Sequence, residues 1–327
     1  MHMPAPWRLA ALAVLLAAIP AQAQHGNRKT HGEDRDRDRE NGDVEFKLDT
    51  TVALGRTGTV DLQTFTGDIT VVTWDRDEVK IHVRSRGNVR FESSPSRVSL
   101  VETPYGHDDY EDSDEDGREL GFEISMPKNA RLLSRTVSGD IKLRDVADVE
   151  AHSVSGDLDA LNVSGHAVLE TVSGDLIATK VTAGLRANTV SGDVKARQVA
   201  GEVSAQSVSG DIMLQDVTSA YVRAETVSGE LQFSGPVDPK GRYEFHSHSG
   251  DVDLDLAGGG GNATLEVETY SGDLDAGCPL TMQPGGRGER MGKRGMFTMG
   301  NGGGAHFILK TFSGDVHIRG CRPHGDN

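Results

Sequence analysis

T-V-S-G-D-I, Thr136–Ile141, is the stretch that decides how this 327-residue chain is read. Near-copies follow as Ser153–Leu158, Thr171–Leu176, Thr189–Val194, Ser207–Ile212 and Thr226–Leu231. With its more divergent copies, the motif glycines are Gly139, Gly156, Gly174, Gly192, Gly210, Gly229, Gly250, Gly272 and Gly314, spaced 17, 18, 18, 18, 19, 21, 22 and 42 residues apart. A fixed period this short indicates stacked repeats. Further glycines near mid-period, at Gly165, Gly184 and Gly201, place at least two short strands in each period.

Side-chain parity separates two folds with this period. A hairpin at Ser-Gly would set Val137 opposite Asp140 and Thr136 opposite Ile141, mixing polar and apolar residues on each face. In a chain that bends without reversing, Val137, Gly139, Ile141 and Leu143 share one side while Ser138, Asp140 and Lys142 share the other. The clean segregation favours an all-β parallel solenoid of about 18-residue coils, with right-handed coiling expected. Val137, Val154, Val172, Val190, Val208 and Val227 should then form an inward ladder, the coil widening where His248, Tyr270 and Phe312 replace valine. Glycine is required where the coil folds inward. Outward Thr rows of the ice-binding kind do not fit, since Thr171 stays on the side of Leu169.

Working outward, the regular array spans residues 136–321, with a Gly-rich insert at 283–305 and a short tail at 322–327. Residues 44–135 contain alternating strands such as V-E-F-K-L and V-K-I-H-V, and the divergent copy T-F-T-G-D-I. They read as an N-terminal β cap region carrying an acidic loop at 105–119. Residues 24–43, with E-D-R-D-R-D-R-E, lack the apolar content to build a core and read as a disordered linker. Residues 1–23 have Arg8, an eleven-residue apolar run and A-Q-A, the pattern of a secretory signal peptide. No other stretch approaches transmembrane length, so an exported chain in the periplasm or at the cell surface is expected.

The T-V-S-G-D-[ILV] array, together with P-K-N-A-R-L and T-G-D-I-T-V-V-T-W-D, resembles an exported bacterial β-strand-repeat family of unknown function that carries the label adhesin. The resemblance covers roughly residues 44–320 and supplies no catalytic residues.

A net charge of -16 disfavours nucleic acid as partner. The two cysteines, Cys278 and Cys321, most simply form a disulfide in an oxidising compartment, two free thiols being the alternative. The motif acids form a row from Asp140 to Asp315, and neighbours about 4.8 Å apart repel by about 1 kcal/mol in water. The row is tolerable only if it is solvated, splayed, capped or bridged by cations, capping by local backbone N–H groups at the turn being the expected arrangement. Asp112, Asp114, Asp116 and Glu123 match the spacing D-x-D-x-D-G-x5-E of a calcium loop, although Glu119 takes the usual apolar position. Calcium is thus the one cofactor candidate. His246 and His248 lie two apart on one strand face and offer a weaker metal pair. No G-x-S-x-G, H-E-x-x-H or phosphate-loop sequence occurs. The sequence therefore points to a non-catalytic, adhesin-like binding or scaffold protein of the cell envelope. Its partner would be a surface glycan or protein. A self-associating structural protein and a carbohydrate-active β-helix enzyme are the alternatives.

Overall fold

The computed structural model describes residues 46–103, 120–256, 261–283 and 293–320. The N-terminal part comprises β1 (Phe46–Ala53), β2 (Thr59–Thr66), β3 (Asp68–Trp74), β4 (Glu78–Ser85), β5 (Asn88–Ser94), β6 (Arg97–Thr103) and β7 (Gly121–Pro127). The repeats follow as pairs: β8 (Arg131–Ser138) with β9 (Ile141–Arg144), β10 (Val149–His152) with β11 (Leu158–Val163), β12 (Ala167–Glu170) with β13 (Leu176–Val181), and β14 (Gly184–Asn188) with β15 (Val194–Val199). Next come β16 (Glu202–Gln206) with β17 (Ile212–Gln215), β18 (Tyr221–Ser228) with β19 (Leu231–Gly235), and β20 (Arg242–Ser249) with β21 (Val252–Leu256). The chain ends in β22 (Ala263–Ser271), β23 (Leu274–Ala276), β24 (Leu280–Met282), β25 (Lys293–Met299), β26 (Ala305–Ser313) and β27 (Val316–Arg319).

The protein is all-β, a parallel solenoid of two-strand coils, as the period implies. The first strand of each pair joins a 14-stranded sheet and the second a 13-stranded sheet. Rungs are parallel and in register, Ile141 against Leu158, Leu158 against Leu176, Leu176 against Val194. The T-V-S-G-D corner carries the chain from one sheet to the other. At the opposite corner Asp145, Asn162, Lys180, Gln198 and Asp216 all adopt left-handed backbone, with φ from 54° to 62°. The valine after each of them, Val146 through Val217, is fully buried.

The core is a thin layer between the sheets. At its middle the inward positions are Ala160, Ala178 and Ala196 from one sheet, and Ala151, Ala187 and Ala205 from the other. Toward the C-terminus it thickens with Phe233, Tyr243, Phe245 and Phe307, the Tyr243 and Phe307 rings stacking at 4.7 Å. Burial of these side chains, each worth roughly 1.5–3 kcal/mol before chain entropy, fixes the register, because a one-residue slip would expose a whole row.

Stacking order departs from chain order at both ends. At the start, β2 and β3 sit between the coil β6–β7 and the coil β8–β9. At the finish, β26 lies between β20 and β22, and β27 between β21 and β23. Antiparallel strands then flank the ends: β1 and β4 beside β7, β5 beside β6, and β25 and β24 beyond β22. They occupy edges that would otherwise extend the parallel ladder.

Candidate functional site

The T-V-S-G-D corner places each of its residues for a separate physical reason. The Thr or Ser faces inward: Thr136, Ser153, Thr171, Thr189, Ser207 and Thr226 are buried. Thr171, Thr189, Ser207 and Thr226 each donate to the motif-glycine carbonyl of the preceding coil, at 3.3, 3.2, 3.1 and 3.1 Å. The following valine points outward. This corrects the expected inward Val ladder: Val137 and Val208 are 39% and 41% exposed. The inward Ile141 lies five positions after the inward Thr136, an odd step, so the corner itself reverses parity. His248, Tyr270 and Phe312 likewise face out and do not widen the coil; the core widens on other aromatics.

The motif aspartates accept backbone N–H groups, and the donor comes from the next coil. Asp140 Oδ1 accepts from Asp157 N at 3.0 Å, Asp157 from Asp175 at 2.8 Å, Asp175 from Asp193 at 2.9 Å and Asp193 from Asp211 at 3.0 Å. That bond from Asp211 holds the Asp193 carboxyl below its ordinary range, with Lys195 adding to the effect against partial burial. Lys195 Nζ bridges Asp175 and Asp193 at 3.3 and 3.1 Å, and Lys142 bridges Asp68 and Asp140 at 3.6 and 3.5 Å. The acidic ladder is thus a run of inter-coil clamps, two of them neutralised by lysine.

Strand register turns the outward valines into a ridge along the 14-stranded sheet. It runs Phe65, Val137, Val154, Val172, Val190, Val208, Val227, His248, Phe312, Tyr270. Its C-terminal end is aromatic: His248 stacks on Phe312 at 4.8 Å and Phe312 on Tyr270 at 4.7 Å. Phe65, Phe312 and Tyr270 are 37%, 41% and 50% exposed.

Beside the ridge lies a polar row two residues earlier on each strand. His152 sits between two carboxylates, Nε2 3.1 Å from Glu150 and Nδ1 3.2 Å from Glu170. The hydrogen bond with Glu170 raises the His152 pKa, against the opposing effect of burial and with help from Glu150. The same bonds to His152 lower the pKa values of Glu150 and Glu170. Further along, His246 Nδ1 is 3.1 Å from Glu225, and Arg223 pairs with Glu225 at 2.6 Å. His246 and His248 therefore serve different partners, one a carboxylate and the other an aromatic stack.

Of the calcium candidates, Asp112, Asp114 and Asp116 lie outside the described residues. Glu123 stands exposed in β7, between Thr70 of β3 and His82 of β4. Among the described residues, no three His, Cys, Asp or Glu side chains gather as a metal site. Cys278 is buried, its Sγ 3.8 Å from Met299 Sδ; Cys321 lies outside the described residues. One carboxylate escaped the sequence reading. Glu102 is 3% exposed and accepts bonds from the Thr64 hydroxyl at 2.5 Å, Phe65 N at 2.7 Å and the Ser85 hydroxyl. It occupies the inward Thr position of the outermost N-terminal coil, a signal visible only once that coil is aligned with the others. A shallow hollow of about 150 Å³ lies near Trp74, Asp75, Arg76 and Lys128, where Lys128 pairs with Asp75 and Arg76 with Glu78 at the surface. No helix among the described residues is long and apolar enough to cross a membrane.

A putative cell adhesion protein from Clostridium sporogenes matches over 84% of this chain and 99% of its own, at 9% identity and a TM-score of 0.23, a likeness too loose to carry an argument. No curated protein matches. The model of a family described as Toastrack DUF4097 matches residues 117–319, the span that holds the T-V-S-G-D corners and the parallel coils. On that match this chain belongs to the Toastrack DUF4097 family.

Proposed function

We propose that this chain is an exported, non-catalytic binding protein of the cell envelope that presents the outward face of its 14-stranded sheet to a surface glycan or protein. The observation that carries this reading is the regularity of that face. Each rung holds one ridge side chain beside one polar side chain, and the polar ones are already ordered by neighbours, as in the His152–Glu170 and His246–Glu225 contacts. A preordered, extended surface lowers the entropic cost of binding a long ligand. The apolar leader at residues 9–19 supports export.

The test is retention of purified envelope glycans and envelope proteins on the immobilised chain, against a variant carrying His246→Ala on the polar row and Arg223→Glu beside it. Saturable retention that the variant loses supports the reading. Absence of retention, or release of reducing ends from a polysaccharide, overturns it, the latter in favour of an enzyme. Calcium at the 105–119 loop is part of the same proposal and is tested by calorimetry. Heat from wild type that Asp114→Ala abolishes supports it, and no heat from wild type ends it. A second reading, a scaffold that associates with itself, is favoured by the exposed ridge.

A further inference from the structure

We infer that two copies of this chain dock along the Val ridge with their stacks parallel, related by a two-fold axis that runs along the ridge. The inference rests on the scaffold reading and not on any outside ligand. The ridge is a strip of mainly apolar side chains, exposed at Phe65, Val137, Val208, Phe312 and Tyr270 and half-buried at the valines between, beside a row of small serines from Ser138 to Ser228 joined rung to rung. Contiguous exposed apolar surface of this kind marks an interaction site.

Period selects the occupant. Rungs recur about every 4.8 Å. A helix laid along the ridge repeats every 5.4 Å and falls half a rung out of step within about four turns. An extended strand presents same-face side chains about every 6.6–6.8 Å and fails sooner. A second copy has the same rise at every rung, so its side chains stay in step along the whole strip. An interface at the small end of the stable class buries about 1,200 Å² over both partners. Spread over the twenty side chains of two ridges, that averages about 60 Å² each, the larger share coming from Phe65, Val137, Val208, Phe312 and Tyr270, which are 37% to 50% exposed, and the smaller from the half-buried Val154, Val172, Val190 and Val227.

Charge selects the orientation. One flank of the ridge is the aspartate row; the other is the polar row with Arg135, His152 and Lys310 among Glu170, Glu225 and Glu268. Antiparallel docking would set aspartate row against aspartate row, and like charges juxtaposed across an interface repel. Parallel docking sets each aspartate row against the partner's mixed row. It also places the three stacked rings of one copy beside those of the other.

Single cysteines distinguish the arrangements. In the parallel pair every ridge residue meets its own counterpart, so Val137→Cys and Val227→Cys should each give a disulfide-linked dimer under mild oxidation, with wild type as the background for Cys278 and Cys321. Sedimentation equilibrium of wild type should show a concentration-dependent dimer. The double variant Val172→Lys, Val208→Lys should weaken it at least tenfold while keeping the wild-type melting curve. A monomer at all concentrations, or a dimer insensitive to the lysines, overturns the inference. So does cross-linking only when Val137→Cys is mixed with Phe312→Cys, which reports the antiparallel pair. Failure here leaves the ligand-binding reading untouched, because that is measured with envelope material.

Discussion

Gly192 has a φ of 153°, and a Cβ built on it would stand 2.0 Å from the Gly174 carbonyl oxygen and 2.6 Å from its carbon. Both obstacles are backbone of the neighbouring coil, held by its own rung bonds, so neither can rotate away. Gly192→Ala should therefore destabilise the protein by more than about 3 kcal/mol, well above an ordinary surface substitution, as urea unfolding would show. His152 is a second residue with a specific forecast. Both ring nitrogens face carboxylates, an arrangement that only the imidazolium satisfies with two donated bonds. Its folded pKa is raised, so its stabilisation is complete below the ordinary value of 6.5 and is lost as pH climbs through the folded value. Glu150 and Glu170 are lowered, so theirs is present above the ordinary 4.5 and lost as pH falls through their folded values. The trio works best in the window between those ordinary values. His152→Gln should cost about 1–2 kcal/mol near pH 5.5 and distinctly less near pH 9, measured as the difference between two denaturation curves. A gap that does not narrow with rising pH would show the imidazolium to be unimportant.

Strands and corners obey a different logic, because an element repeats its interactions while individual copies differ. The inward hydroxyl of Thr189 reaches the Gly174 carbonyl at 3.2 Å, whereas the equally buried Thr136 hydroxyl finds no acceptor. Thr189→Val should thus lower stability by about 1 kcal/mol, while Thr136→Val, which removes an unsatisfied polar atom at nearly constant volume, should be neutral or stabilising. Melting temperatures of the two variants decide it: equal losses would mean that both hydroxyls are bonded in solution. The same corner marks the limit of what the sequence discloses. The period, the two strands per coil and the inward Ile141, Leu158 and Leu176 follow from local alternation and were legible. Which of Thr136 and Val137 points inward was not. Alternation runs true along a strand, but across the corner the two inward positions lie an odd five apart, which resets the phase, and apolar character alone then favours valine. The aspartate row was legible as a row of capping acceptors. That the aspartates take their N–H from the neighbouring coil was not, since the donor lies 17 to 19 residues away in the central coils and 64 and 42 residues away for Asp251 and Asp315. The ridge followed from that phase and was hidden with it.

At the scale of the whole molecule, the end coils are stacked out of chain order, and no local pattern could reveal this. Gly314 packs against the Gly250 carbonyl and Gly272 against that of Gly314, so residues 64 apart in the chain touch while the intervening coil lies outside them. The consequence is mechanical. Strand β22 has β26 as its parallel neighbour, so the outer coil is held to the stack through the last segment of the chain. Whatever fastens β27 fastens everything from Ala263 onward. The Cys278–Cys321 disulfide would do this: Gly277 N already donates to the Ile318 carbonyl at 2.9 Å, which brings the chain just before Cys278 alongside the end of β27. Closing that loop of about forty residues is worth up to about 4 kcal/mol in the chain-entropy account. Cys278→Ser or reduction should then speed amide exchange across β22, β26 and β27 together, while β11, β13 and β15 in the central coils keep their protection, because subglobal opening starts where long-range ties are fewest. Exchange unchanged at the C-terminal end would remove the disulfide from the account. Exchange raised in every coil would show instead that the stack opens as one cooperative unit, with no separable end.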